Sequence, residues 1–212
     1  MVEEIENEDN ERFVIINNID AGRKEDDMRR ISLYGDIEEK ISSDTVNLLL
    51  YLSDTAKRFE YKDPQDPESE LLEIVKPIKL MISTLGGSAP DMFGIYDTMR
   101  MVRKNCDIET LGVGKVMSAG VVLLAAGTKG KRKIGANCRV MIHSVIGGYH
   151  GSLTNMENEI AEIRWIQDRY VKCLARETNM SVREIKKILR KQVDFYLSAE
   201  EAIEFGIADE IV

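Results

Sequence analysis

The order of apolar and polar positions along the first half of the chain predicts short strands that alternate with helices. Short apolar segments that run into glycines indicate strands at 31–35 and 79–84. One helix is expected behind Asp44 as its cap, with an apolar face formed by Val46, Leu49, Leu50 and Leu52. A second helix is expected at 91–103, where Met92, Ile95, Tyr96, Met99 and Val102 have helical spacing. This alternation is typical of an α/β fold with crossover connections.

The second half of the chain continues the pattern. A strand at 107–112 leads into a tight turn at 114–120, a buried helix at 121–126 and another strand at 139–143. The spacing of Thr154 and Glu157 is that of a capping box, and it predicts the start of a long helix that ends near Glu177. Its apolar face runs over many turns and packs either on the chain's own core or on another subunit.

Three further elements are expected near the C-terminus. Ser181 with Glu184, and Ser198 with Glu201, have the spacing that caps a helix. Residues 193–197 between these helices form a loop or short strand, and residues 207–212 form a final edge strand. We place the compact domain at 30–212, after an acidic N-terminal segment (1–29) that is expected to be partly disordered. An apolar run at 13–16 interrupts this segment and is expected to pack on a neighbouring subunit.

Composition and charge exclude several kinds of protein. The 212 residues are 43% hydrophobic and 31% charged, which is ordinary for a soluble domain. The net charge of −8 argues against nucleic acid as the main partner. Three widely spaced cysteines suit neither a disulfide framework nor a zinc site, and no cluster has the spacing of metal ligands, so we expect no metal and no cofactor. With no signal peptide and no membrane-spanning stretch, we expect a cytoplasmic protein that does not contact a membrane.

Three residues carry the candidate chemistry. Ser118 lies in the glycine-flanked turn before the buried helix, His143 ends a strand, and Asp194 lies between the last two helices. A serine alcohol needs a base to take its proton, and the base needs an acid to orient it, so this set is the minimum for acyl transfer by serine. A helix cap at Ser118 and a core histidine at His143 would explain the same residues. Val116 stands where the elbow of an α/β-hydrolase needs glycine, which disfavours that family.

Several stretches, in order and with compatible spacing, together resemble one known family. They are Ile95-Tyr96-Asp97-Thr98-Met99, Leu123-Leu124-Ala125-Ala126-Gly127, Lys129-Gly130-Lys131-Arg132, Arg139-Val140-Met141-Ile142-His143, Gly147-Gly148-Tyr149 and Ser198-Ala199-Glu200-Glu201-Ala202. From Arg30 to the C-terminus the chain resembles the proteolytic subunit of Clp protease, the ClpP family. The resemblance implies the ClpP/crotonase-like α/β fold, built from repeated β-β-α units with a protruding long helix, the handle.

The resemblance also implies a role for individual residues. Ser118 would be the nucleophile, His143 the base and Asp194 the orienting acid. The backbone N–H groups of Gly87 and Ala119 would bind the oxyanion. An extended peptide would be bound by strand addition to the glycine-rich ribbon, through Gly147, Gly148 and Tyr149.

The family's assembly is implied in the same way. The chain would be the subunit of an ATP-dependent serine endopeptidase that hydrolyses unfolded polypeptides inside two stacked seven-subunit rings. The long helix and the ribbon would form the contact between rings, and the N-terminal segment would gate the axial pore. An AAA+ unfoldase would consume the ATP, because this chain has no Walker-type glycine loop.

The chain departs from the family pattern at several positions. Thr84-Leu85 replaces the usual Ser-Pro before the oxyanion glycine, which predicts a less rigid loop. Gln192-Val193 replaces an acid–arginine pair that links the rings, and Lys133 replaces an aromatic residue of the unfoldase-docking pocket. Such departures suit a phage-encoded or accessory paralogue. Two alternatives stay open: a non-catalytic ring subunit that modifies a homologous ClpP, and a crotonase-type acyl-CoA enzyme.

Overall fold

The structure is a computed structural model that describes residues 28–66, 68–148, 150–191 and 193–212. The predicted N-terminal segment therefore lies almost wholly outside the described residues. In chain order the elements are β1 (Arg30–Tyr34), α1 (Glu39–Asp54), β2 (Lys57–Tyr61), β3 (Leu71–Val75), β4 (Ile78–Thr84), α2 (Ala89–Val102), β5 (Ile108–Met117), α3 (Ala119–Ala125), β6 (Arg132–Ile134), β7 (Arg139–Ile142), α4 (Leu153–Glu177), α5 (Val182–Leu189), β8 (Phe195–Leu197), α6 (Ala199–Glu204) and β9 (Glu210–Ile211).

A mostly parallel sheet forms the centre of the fold. Within the described residues it has seven strands, and β1, β4, β5, β6 and β9 follow one another across it. The long strand β5 pairs with β6 through its first half and with β7 through its second half. Strand β8 joins β7 in the one antiparallel pair of this sheet. The α/β fold class predicted from the sequence is confirmed.

The core lies between the sheet and its crossover helices. All seven residues of α3, from Ala119 to Ala125, are buried, because their apolar side chains leave no polar face for water. The predicted apolar face of α2 is buried in full. The Oγ of Ser88 caps this helix by accepting a hydrogen bond from the N–H of Asp91 (3.4 Å).

Several predicted boundaries are wrong. Helix α1 begins at Glu39, so Asp44 lies inside it and caps nothing, and Leu50 on its predicted apolar face is exposed. Residues 114–117 are not a turn but continue β5, because β7 offers them a ladder of hydrogen bonds. Helix α4 is capped by Ser152, whose Oγ accepts from the N–H of Asn155, rather than by Thr154.

The two halves of α4 have different surroundings. Tyr170, Val171 and Leu174 in its last turns are buried in the core. The first half exposes the apolar side chains of Leu153, Met156, Ile160 and Trp165. Packing on the chain's own core thus explains the apolar residues in the last turns of α4, but not those in its first half. The prediction that its first half contacts another subunit stays a prediction.

The sequence pattern did not predict a second, smaller sheet. Strands β2 and β3 form an antiparallel hairpin between α1 and β4. The acidic, proline-containing residues 62–66 and 68–69 lie at the tip of this hairpin.

Candidate active site

Ser118 occupies a strained position between β5 and α3. Its φ of 53° and ψ of −120° make it the one non-glycine residue with positive φ in the part of the chain that the structure describes. Such a conformation costs about 1–3 kcal/mol and persists only where the surroundings fix it. Here the N–H of Ser118 donates to the carbonyl oxygen of Met141 (2.8 Å), and the hydroxyl of Tyr170 donates to the carbonyl oxygen of Ser118 (3.3 Å). A serine at a sharp strand-to-helix turn presents its hydroxyl outward, as nucleophilic serines do in other folds.

Two glycines bring a second backbone segment against Ser118. A Cβ on Gly86 (φ +110°) would lie 2.6 Å from the Cβ of Ser118. A Cβ on Gly87 (φ +146°) would lie 2.2 Å from the carbonyl oxygen of Ile37. Only glycine fits these positions, since both the space and the backbone conformation exclude a side chain. The N–H of Gly87 therefore belongs to a loop that passes beside Ser118.

The threonine that replaces the family's serine holds this loop. The Oγ1 of Thr84 accepts a hydrogen bond from the N–H of Gly86 (2.9 Å) and lies 3.2 Å from the carbonyl oxygen of the same residue. Thr84 is fully buried, so water does not compete for these bonds. The Thr84 hydroxyl thus constrains the loop across Leu85, the position at which the family has proline, and the lower rigidity of this loop stays a prediction.

The sheet topology brings the three candidate residues to one edge. Ser118 follows β5, His143 follows β7, and Asp194 precedes β8. Strands β7 and β8 pair Ile142 with Phe195, and the next step of this antiparallel register places His143 opposite Asp194. Because β8 runs against β5 and β7, its beginning lies at the edge where they end.

Two of the three candidate residues share a cleft, and Asp194 is not among the residues that line it. Ser118 and His143 line the same cleft, whose volume is about 470 Å³. Within the described ranges, no hydrogen bond links the side chains of Ser118, His143 and Asp194. The exposed carboxylate of Asp194 instead lies 3.5 Å from the hydroxyl of Tyr196. Catalytic hydrogen bonds are often long in the absence of substrate and shorten when it binds.

The rest of the cleft is mainly apolar. Gly87 and Ala119 line it together with Ser118, and α4 contributes Ile163, Ile166 and Tyr170 as well as the charged Glu159. Gly147 packs against α4 so closely that a Cβ would lie 2.6 Å from the Cδ1 of Ile163, whereas Gly148 has open space around it. The remaining predicted ribbon residue, Tyr149, lies outside the described residues. The cleft is thus shaped for an apolar group next to the serine hydroxyl.

The three cysteines of the chain are buried or half-buried. Burial raises the pKa of the Cys138 thiol to about 11, and it raises the pKa values of Cys106 and Cys173 as well. Burial therefore favours the protonated form of these thiols, which is the less nucleophilic one. Across the described residues, no group of His, Cys, Asp and Glu side chains has the arrangement to hold a metal ion. The helices in these ranges lack the combination of length and apolar character that crossing a membrane needs.

The chain is similar to one known protein family over most of its length. The model of the Clp protease family matches residues 70–212, which is more than half of the chain. The chain belongs to the Clp protease family. Membership makes it a peptidase of the Clp type, with the fold that the sequence resemblance implied. The match includes all the candidate residues of the cleft and begins inside the β2–β3 hairpin, so most of that hairpin precedes it.

Sequence reasoning missed two contributors to the cleft. Gly86 was visible as the first glycine of the pair at 86–87, but only its distance to Ser118 reveals why glycine is required there. Tyr170 lies on the long helix α4, and its hydroxyl gave no sequence signal. Burial raises the pKa of Tyr170, so its hydroxyl remains a hydrogen-bond donor to Ser118 over the physiological pH range.

Proposed function

We propose that the chain is the subunit of an ATP-dependent Clp-type serine endopeptidase with Ser118 as its nucleophile. The observation that carries the proposal is the strained backbone of Ser118 at the N-terminus of the buried helix α3, in a cleft that His143 also lines. Strain of this kind is maintained against a free-energy cost, and it is found mainly where geometry serves function.

The proposed reaction proceeds through an acyl-enzyme. His143 takes the proton of the Ser118 hydroxyl as its oxygen bonds to the carbonyl carbon of the peptide, and Asp194 orients the imidazole. The N–H groups of Gly87 and Ala119 stabilise the negative charge on the former carbonyl oxygen. The tetrahedral intermediate collapses, the imidazolium protonates the leaving amine, and the peptide bond breaks. Water then hydrolyses the ester by the same steps, which releases the acid and restores Ser118.

The proposed substrates are unfolded polypeptides. The glycine-rich ribbon (Gly147, Gly148 and Tyr149) would pair with an extended chain, which a folded protein does not offer. The apolar side chains that α4 contributes to the cleft support binding of an apolar side chain next to the scissile bond. We further propose that two seven-subunit rings enclose this cleft and that an AAA+ unfoldase supplies substrate. The exposed apolar side chains on the first half of α4 support such an assembly.

A fluorophosphonate probe tests the proposed nucleophile directly. We expect intact-mass analysis to find a single adduct, and Ser118→Ala to remove both the adduct and the hydrolysis of unfolded peptides. Ser88→Ala is the matched control, because Ser88 lines the same cleft but caps α2. The control variant should keep both activities. An adduct that survives in Ser118→Ala would contradict the assignment.

A second candidate function is a non-catalytic ring subunit that modifies a homologous ClpP. It is favoured by the position of the Asp194 carboxylate, which is exposed and near Tyr196 rather than bonded to His143. Native mass spectrometry of the chain mixed with a catalytic ClpP would test it. Mixed rings, together with no probe adduct on Ser118, would support this function over the first. The third alternative, a crotonase-type acyl-CoA enzyme, is disfavoured by membership of the Clp protease family.

A further inference from the structure

The β2–β3 hairpin stands apart from the main sheet. Among the described residues its strands pair only with each other. The N–H of Lys76 donates to Ala56 at its root (2.9 Å), and the N–H of Lys62 donates to Glu70 at its tip (2.8 Å). One face exposes four large apolar side chains, by 43% to 62%: Phe59, Tyr61, Leu71 and Val75. A two-stranded hairpin alone is marginally stable in water, so a further strand or surface is needed to cover it.

The outer edge of β2 is ready to accept a strand. The two backbone hydrogen bonds at the root and the tip show that the even-numbered residues of β2 direct their N–H and C=O groups toward β3. In an antiparallel ladder the alternate residues then direct their N–H and C=O groups outward, and in β2 these are Lys57, Phe59 and Tyr61. None of these outward backbone groups is bonded to another backbone group within the described ranges. Such an edge binds an extended segment through main-chain hydrogen bonds.

The N-terminal segment joins the fold at the root of this hairpin. The guanidinium of Arg29 donates to the carbonyl oxygens of Leu52 (2.6 Å) and Thr55 (3.3 Å), which lie just before β2. It also donates to those of Lys76 (3.3 Å) and Pro77 (3.1 Å), which lie just after β3. The described part of the chain therefore starts beside the point where both strands of the hairpin begin and end.

We propose that residues 13–19 of the same chain add to the outer edge of β2 as a third strand. This stretch, Phe13-Val14-Ile15-Ile16-Asn17-Asn18-Ile19, is rich in the aromatic and β-branched residues that favour strands. In an extended chain Phe13, Ile15 and Ile19 share one face, which would extend the exposed apolar face of the hairpin. The occupant is thus a segment of this chain rather than another protein.

Length and direction fit the proposed pairing. The eight residues between Ile19 and Met28 span up to about 30 Å when extended, whereas a five-residue strand such as β2 is about 17 Å long. The segment runs toward the root of the hairpin and β2 runs away from it, so the two would be antiparallel. The antiparallel arrangement is the more stable one per residue.

Hydrogen exchange at single-amide resolution tests the proposal on the full chain. We expect the N–H groups of Phe59 and Tyr61, and those of residues 13–19, to exchange at least about tenfold more slowly than in unstructured peptides. A chain that lacks residues 1–21 should lose the protection at Phe59 and Tyr61. A synthetic peptide of residues 11–21 should restore it. Exchange of the β4 and β5 amides should not change, which shows that the fold is intact.

A pair of variants separates docking from a general effect on the fold. Phe59→Ser with Leu71→Ser removes apolar contacts from the exposed face and should bring exchange at residues 13–19 to that of a free peptide. Val182→Ser on α5 removes an exposed apolar side chain elsewhere and should have no effect. Free-peptide exchange of residues 13–19 in the unmodified chain would overturn the proposal. So would protection of Phe59 and Tyr61 that survives truncation, or that grows with protein concentration and thus comes from a second copy.

Discussion

The parallel sheet has one edge where its strands begin and one where they end, and the polar side chains at these two edges differ. At the first they are hydrogen-bonded within the chain, and at the second they line a cleft. At the edge where β6 and β9 begin, the buried guanidinium of Arg132 donates to Asp209 (Nε, 2.8 Å) and to the carbonyl oxygens of Glu177 (2.7 Å) and Gly206 (2.8 Å). At the edge where β5 and β7 end, the side chains of Ser118 and His143 share a cleft without a hydrogen bond between them.

The difference separates groups that stabilise the fold from groups that, under the proposed function, would face a substrate. A buried charge without partners costs several kcal/mol, so the Arg132 cluster must be satisfied within the chain. The carboxylate of Glu177 shows the same rule, since it accepts from the hydroxyl of Tyr96 (2.9 Å) and from Arg103 (3.2 Å). A group that binds a substrate needs a donor or acceptor that is not already bonded within the protein. The side chains of Ser118 and His143, at the edge where the cleft lies, meet this requirement within the part of the chain that the structure describes.

The largest effect is expected at Gly87, on the cleft edge. Gly87→Ala would place a Cβ 2.2 Å from the carbonyl oxygen of Ile37 and would displace the proposed oxyanion donor. We expect peptide hydrolysis to fall by at least about 100-fold, as when an oxyanion donor is lost. The measurement is kcat/KM on an unfolded peptide, with circular dichroism as a test of folding.

Gly130→Ala is the matched control for Gly87→Ala. Gly130 also has positive φ (+79°), but a Cβ there would meet no atom within 4 Å. We expect a stability loss of about 1–2 kcal/mol from the left-handed backbone alone, with activity unchanged. Equal activity losses in the two variants would show that the effect of Gly87→Ala is not specific to the cleft.

A large loss of stability is expected at the opposite edge. Asp209→Asn leaves the guanidinium of Arg132, which is 3% exposed, without its counter-charge. We expect the free energy of unfolding at pH 7 to fall by about 3 kcal/mol, the usual result of breaking a buried ion pair. Urea titration measures this. A loss below about 0.5 kcal/mol would contradict the prediction, because it would show that the Arg132–Asp209 pair contributes no more than an exposed surface ion pair does.

The pH dependence of this loss follows from the pKa of Asp209. Burial alone would raise that pKa, but hydrogen bonds from Arg132 and the charge of its guanidinium outweigh burial and lower it below the usual value. A carboxyl with a lowered folded-state pKa stabilises the fold above its unfolded pKa of about 3.9 and loses this effect as the pH falls through the folded value. The difference between the parent and Asp209→Asn should be constant from about pH 5 to 8 and shrink below about pH 4.

A smaller effect of opposite sign is expected at Ser118. Glycine adopts the backbone conformation of Ser118 without strain, so Ser118→Gly should stabilise the fold by about 1 kcal/mol after the entropic cost of glycine is subtracted. The same variant should lose peptide hydrolysis. Thermal unfolding of this variant beside Ser118→Ala measures the gain. A lower melting temperature for Ser118→Gly than for Ser118→Ala would argue against stored strain.

The smallest effect is expected at Tyr170. Tyr170→Phe keeps the ring in place and removes only the hydrogen bond to the carbonyl oxygen of Ser118. We expect a stability loss of about 1 kcal/mol and a decrease of a few-fold in kcat, because Ser118 is held less firmly. Urea titration and kinetics on the same sample give both values. An unchanged kcat would limit this bond to a structural role.

Elements with local signals were predictable from the sequence. The capping boxes at Ser181 and Ser198 form as expected, because both partners lie within one turn of helix. The strand β6 was missed, since Arg132-Lys133-Ile134 has no apolar alternation and depends on pairing with β5 and β9. The length of β5 was missed for a related reason: glycines at 112 and 114 usually end a strand, but pairing with β4 and β7 carries it further.

The identity of the candidate site residues was predictable from the sequence, but their arrangement in space was not. The resemblance identified Ser118, His143 and Asp194, whereas their common edge follows from the pairing of β7 with both β5 and β8. Those strands lie far apart in the sequence, and no local pattern gives their register. The strain at Ser118 was also hidden, because a serine codes for no particular φ and only the packing of α3 and β7 imposes one.

The tip of the hairpin gives the chain a convenient point of attachment for labels. Lys62 and Glu70 are bonded across the base of the tip, so the ends of an inserted sequence would stay close together. The residues between them, where described, lie almost entirely at the surface, and they are remote along the chain from the cleft. An epitope or a fluorescent group placed between Gln65 and Asp66 would label the chain at an exposed point while both chain ends remain native.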